Sequence, residues 1–181
     1  GGIEAGKIPL SQVPPNFLIL SGAGCGNVPI VYTIGPQNLI ENFTDLYTVG
    51  FPGDISKQRK PIIEKMKRAF GSQFIHFYKA GKKNWTDIVK ASRFTLCPRG
   101  MNPSSFRVFE TIQLGAIPVI LWNERIWLPY YGKLPYEEFS IISEYKNVDY
   151  IIEKIKKIPL MKIHLMRDKV KKYRNDFFTV A

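Results

Sequence analysis

Cysteine and histidine are scarce in this 181-residue chain, which holds two of each: Cys25, Cys97, His76 and His164. Two thiols are too few for a disulfide framework, so both are expected to be free. His76 lies inside an apolar run and His164 inside a basic one, and both read as structural. No apolar run reaches the ~20 residues that a membrane span needs, and no basic stretch followed by a hydrophobic block opens the chain. Asp-x-Asp is absent, so no acidic metal-binding triplet is offered and no metal site is expected. The glycine-rich stretch 22–26 has no Lys-Ser or Lys-Thr after it, which excludes a P-loop, and Val28-Pro29 argues against a helix opening there.

Acidic residues are also in short supply, 15 against 26 Lys plus Arg, for a formal charge of +11. The positive residues gather in 57–68, 79–90 and 146–174 without forming a nucleic-acid module, and solvated helix faces account for most of them. No nucleic-acid partner is expected. The net field favours anionic ligands and permits peripheral contact with an anionic membrane surface.

Proline at 9, 14 and 15 works against regular structure in residues 1–16, and short apolar runs follow at 17–20 and 31–34. From residue 46 the pattern alternates. Strands are expected at 46–51, 74–78, 94–97, 117–121 and 139–142. Helices are expected at 54–70 with Asp54 as N-cap, and at 84–92, 104–114, 148–158 and 161–177. Continuous rather than alternating apolar character in the strands predicts a parallel sheet covered on both faces, a Rossmann-like α/β domain. In such sheets ligands sit beyond the carboxyl ends of the strands, which brings Gly50-Phe51, Tyr78-Lys79, 97–101 and 122–124 to one rim.

The most informative run is Cys97-Pro98-Arg99-Gly100-Met101-Asn102-Pro103-Ser104-Ser105-Phe106-Arg107-Val108-Phe109-Glu110. Ser104 and Ser105 can cap the first backbone N–H groups of a helix, whose dipole presents positive charge to an anion. Arg99 and Arg107 add planar forks suited to phosphate oxygens, and Glu110, one turn past Arg107, can accept from ribose hydroxyls. The other reading of the same residues is an ordinary capped amphipathic helix, with Phe106, Phe109, Ile112 and Gln113 inward and Arg107–Glu110 a solvated i,i+3 pair.

Residues 92–100, Ser105-Phe106-Arg107, Glu110, Gly115-Ala116-Ile117-Pro118-Val119-Ile120, Leu128-Pro129-Tyr130 and Phe139-Ser140-Ile141-Ile142 closely resemble the signature of exostosin-like glycosyltransferases. Tyr47-Thr48-Val49-Gly50-Phe51 and Arg59 resemble that family's first donor-domain strand, its glycine turn and an arginine of the next helix. The resemblance covers roughly half the chain. It implies the donor half of a GT-B fold, with residues 1–44 a reduced part of the acceptor half, 45–158 the nucleotide-sugar-binding domain and 159–181 a C-terminal helix. It also implies a UDP-sugar donor, a glycan acceptor, and inverting transfer without a metal or other cofactor. Arg59, Arg99, Ser104, Ser105, Arg107 and Glu110 are then the donor-binding residues, Arg59 having an ordinary basic helix surface as its other reading. From their place on the rim, Tyr78 is a candidate to flank the base or a core aromatic, and Asn123 and Glu124 are candidates to bind sugar hydroxyls.

Aromatic Trp127, Tyr130 and Tyr131 are open to two readings, sugar stacking or packing beneath the sheet end. Leu134-Pro135-Tyr136 departs from the acidic residue and tryptophan usual in the family before Phe139, which puts the sugar's identity in doubt. No residue reads as the general base. A non-catalytic nucleotide-binding module, or an inactive fragment, is the alternative. The missing anchor implies a cytoplasmic viral or microbial relative, or a secretory-pathway enzyme represented without its membrane segment.

Overall fold

A computed structural model describes residues 20–21, 28–31, 36–76, 85–100 and 103–179. Five strands form a parallel sheet: β3 (Tyr47–Phe51), β4 (Phe74–His76), β5 (Ser92–Pro98), β6 (Ile117–Trp122) and β7 (Ile141–Glu144). Their spatial order is β4-β3-β5-β6-β7. Two short earlier strands, β1 (Leu20–Ser21) and β2 (Val28–Pro29), pair parallel in a separate ribbon. The five-stranded order places a topological switch between β3 and β5, because the chain leaves β3 outward to β4 and then crosses back to build the rest of the sheet.

Crossovers in such sheets are right-handed, so reversing direction moves the connecting helix to the opposite face. Helix α1 (Lys60–Phe70) accordingly packs with α4 (Val148–Lys157), while α3 (Phe106–Gln113) packs with α5 (Leu160–Tyr173). The short helix α2 (Trp85–Lys90) lies against β3 and β5. In register, Gly50 pairs with Thr95. A Cβ added to Gly50 would reach Ile88 Cγ2 of α2 at 2.9 Å, so this glycine is what lets the helix approach the sheet. The central strand β5 is almost wholly buried, with Phe94, Leu96 and Cys97 in the core and the polar Ser92 and Thr95 buried beside them. Pro118 stands second in β6 although that strand has neighbours on both sides; pairing with β7 begins one residue later, at Val119, where the ladder regains its N–H groups.

Element boundaries differ from expectation at informative places. Helix α1 begins at Lys60, not at residue 54, and Asp54 is no N-cap. The reason is Pro61: a helix opened at 54 would carry that proline in its interior, where the ring clashes with the carbonyl four residues back, whereas the first turn tolerates it. Residues 54–59 therefore form a loop, and Ile55 is exposed rather than part of the apolar stripe of Ile62, Ile63 and Met66. Helix α3 begins at Phe106, with Ser105 in extended backbone and no side-chain cap bond, contrary to the capping expected of Ser104 and Ser105. The last strand starts at Ile141 rather than 139, and α5 ends in a π-helical turn, Arg174–Phe178.

Helix α5 buries Ile163, Met166 and Val170 in the same core as the sheet, while Leu165 is exposed. No described helix is long and apolar enough to cross a membrane. The glycine stretch 22–26 with Cys25, residues 1–19 and 32–35, and Tyr78 with Lys79 lie outside the described residues.

Candidate functional site

The carboxyl ends of β3 and β5 meet at the switch point, and each is followed by a loop that supplies an arginine. Because 54–59 is a loop, Arg59 stands just before α1 and turns back: its Nε donates to the Arg99 carbonyl at 2.9 Å and its Nη1 to the Asp54 carbonyl at 3.2 Å. The Tyr145 hydroxyl, just past β7, reaches the same Arg99 carbonyl at 3.5 Å. Burial pushes this phenol up to about 12, against the pull of Arg59 and Arg99, so it stays protonated as a donor. Gly100 N–H donates to the Ser104 carbonyl at 3.1 Å. A Cβ at Gly100 would stand 3.7 Å from Arg59 Nη2.

The Arg99 side chain is buried and donates through Nη1 to Glu124 Oε1 at 2.9 Å. Glu124 itself is exposed and sits in left-handed backbone at φ 68° in the loop after β6. The Asn123 amide oxygen accepts from the Glu124 N–H at 3.0 Å. Two residues expected to touch base or sugar are thus joined to Arg99 and to each other.

Ser104 and Ser105 are both buried, and Ser104 Oγ has no hydrogen-bond partner. With Arg99, Val108, Trp127 and Leu128 they line a cavity of about 10 Å³, the room of one water and not of a phosphate. In this conformation a phosphate does not fit against the two serine hydroxyls inside that cavity.

Arg107 and Glu110 are partners at 3.1 Å, but the pair is not solvated: the Glu110 side chain is 5% exposed. Arg107 also lies flat on the Trp85 ring, its guanidinium carbon 3.8 Å from the centroid. Burial raises the Glu110 carboxyl above its usual range, with Arg107 opposing, and burial lowers the Arg107 guanidinium, with Glu110 opposing. Residues 108–113 are all buried, so α3 is a core helix rather than an amphipathic surface one. Trp85 and Tyr145 were missed by sequence reasoning; only the register of the sheet brings them to arginines 22 and 46 positions away.

Trp127 is a packing residue, buried, with Nε1 donating to the Ser21 carbonyl at 2.9 Å and Arg125 over its ring. Tyr130 and Tyr131 are half exposed; Tyr130 meets Phe177, with ring centroids 5.3 Å apart. His76 is structural, its Nε2 2.9 Å from the Gly53 carbonyl and its ring stacked on Phe51. Among the described residues no three His, Cys, Asp or Glu converge as metal ligands would.

A parallel α/β sheet of this order, with arginines from two loops gathered at its switch point, defines a Rossmann-like domain of the kind that forms half of a GT-B glycosyltransferase. The sequence profile of the exostosin GT47 domain matches residues 45–158, and the chain belongs to that family. Similar proteins include a "probable glycosyltransferase" of Arabidopsis thaliana, 31% identical over 91 residues, 50% of this chain and 19% of that protein. Exostosin-1 of Drosophila melanogaster is 30% identical over 84 residues, 46% of this chain and 11% of that protein. A "probable beta-1,4-xylosyltransferase" of Arabidopsis thaliana is 36% identical over 66 residues, 36% of this chain and 16% of that protein. The chain thus spans less than a fifth of the length of each of these three relatives.

Proposed function

We propose that this chain is the donor-binding part of a glycosyltransferase that takes a nucleotide sugar, a UDP-sugar, and passes the sugar to a glycan acceptor with inversion and without a metal. The observation that carries this reading is the junction of Arg59 and Arg99 at the switch point, two arginines from separate loops tied together through the Arg99 carbonyl. Breaking the bond to the anomeric carbon leaves negative charge on the departing diphosphate. Fixed guanidinium groups at a low-dielectric rim stabilise such charge without rearranging at the moment of reaction. Arg107, stacked on Trp85, adds a third cation, and the Glu110 carboxylate beside it can accept from the ribose hydroxyls. The Ser104 carbonyl holds the Gly100 N–H, and on this reading Asn123 contacts the sugar. The acceptor must lose a proton to a base, which on this reading belongs to the other half of the GT-B pair.

Titration calorimetry with UDP tests the binding step, and incubation with a panel of UDP-sugars tests turnover. Arg107→Ala should weaken UDP binding by about 1–3 kcal/mol, the worth of a charge-assisted contact. Unchanged affinity in a folded variant removes Arg107 from the site. A nucleotide-binding role without turnover is the second reading. UDP binding with no sugar release or transfer would select it.

A further inference from the structure

The ion pair between Arg99 and Glu124 is lopsided. The guanidinium side chain is 8% exposed, whereas the carboxylate side chain is 68% exposed. A buried guanidinium needs an anion close by, since removing the partner of a buried charge is costly. Here the partner comes from the loop after β6, a different element from Arg99, and its backbone holds the left-handed conformation that non-glycine residues avoid. Glu124 has nothing that buries it, and its backbone N–H is occupied by its neighbour Asn123. A carboxylate held mainly by one salt bridge, in a strained and solvated loop, is an anion that can leave.

We propose that Glu124 is an internal stand-in for the ligand's phosphate: it neutralises Arg99 while the rim is empty and is exchanged for a phosphate oxygen when the donor binds. This rests on the donor-binding reading above and assigns Glu124 a different task from contact with base or sugar. The exchange pairs Arg99 with an anion both before and after the donor binds, and leaves the buried charge without one only in the minor open state. It also makes Glu124 a determinant of affinity. Every ligand that needs Arg99 must displace the carboxylate, and the apparent dissociation constant rises by the inverse of the fraction of molecules in which Arg99 is open.

The test compares wild type, Glu124→Gln and Arg99→Gln/Glu124→Gln by calorimetry with UDP, and by thermal melting with and without inorganic pyrophosphate. Glu124→Gln should bind UDP about tenfold more tightly than wild type, the gain expected if Arg99 is open one time in ten. Without ligand the same variant should melt at a lower temperature, and pyrophosphate should raise its melting temperature more than it raises that of wild type. The double variant should lose both effects, because the competition has no object without Arg99. If wild type binds UDP and Glu124→Gln binds it equally or more weakly, the stand-in role is overturned while donor binding survives. If UDP binds none of the proteins but pyrophosphate still rescues Glu124→Gln through Arg99, the exchange stands and the nucleotide reading falls. Absence of both overturns both.

Discussion

Cys97 shows how far burial can silence a reactive side chain at the edge of the candidate site. It stands one residue before Pro98 at the end of β5, and its Sγ lies 3.5 Å from Thr111 Oγ1 on α3. Burial pushes the thiol from its ordinary 9.0 up to about 12, more than the Thr111 hydrogen bond and the Arg107 charge can offset. Since thiolate is the nucleophile, a thiol-specific reagent at pH 8 should leave Cys97 unmodified in the folded protein and label it after denaturation. Peptide mapping by mass spectrometry separates it from Cys25. The sign of the linkage follows from the raised value. The folded protein holds this proton more tightly than the unfolded chain, so the contribution to stability is complete below about pH 9 and is lost as pH rises towards 12. Labelling of native Cys97 at neutral pH would contradict its burial. At this scale the sequence placed Arg99 at the end of the central strand and Arg107 on the following helix, where the structure has them, but set Arg59 inside a helix although it stands in the loop before α1. It named none of their partners, because pairing with Glu124, Tyr145 and Trp85 depends on which strands are neighbours.

Helices reveal where local signals suffice and where they mislead. The end of α3 was legible: Gly115 adopts φ +79°, the left-handed position that stops a helix, and β6 begins two residues later. Gly115→Ala should lower unfolding free energy by about 1–2 kcal/mol, the backbone cost of a side chain in that conformation. Gly132, at φ +84° with open space around it, gives the backbone cost alone when changed to alanine. An excess loss in Gly115→Ala over Gly132→Ala in denaturant titration measures how firmly Leu39 is held, since the new Cβ would lie 2.6 Å from its Cδ1. Equal stability of Gly115→Ala and wild type would show that the turn is not under the strain its dihedral implies. The start of α1 was misread because Asp54 is a good cap by type, yet Pro61 governs, through a steric clash that no capping bond can repay. The two serines before α3 likewise cap by type but not in fact, since their side chains are drawn inward.

Across the whole molecule one core joins the sheet to the C-terminal segment. Ile163, Met166, Val170 and Phe178 belong to the same buried cluster as Val49, Phe94 and Val119. Arg167 of α5 forms a two-pronged ion pair with Asp45 before β3, and Gln113 donates to the Phe178 carbonyl at 2.9 Å. The profile match ends at residue 158, but the packing does not. Truncation after residue 158 should therefore abolish cooperative unfolding and expose apolar surface to a hydrophobic dye, as removing several large core side chains does at ~2–5 kcal/mol each. A truncated chain that melts cooperatively with little loss would show that the domain closes without α5.

What the sequence determined by itself was the class of architecture and which residues share one rim: apolar strands broken by helical segments can be buried only as a covered parallel sheet, and the clustered motif residues fall at its carboxyl ends. What only tertiary structure decided was the state of each charge at that rim. Glu124 on Arg99, Arg107 on Trp85 and the Arg99 carbonyl shared by Arg59 and Tyr145 are contacts between residues distant along the chain, and electrostatic pairing depends on distance in space, which strand order and loop path alone supply.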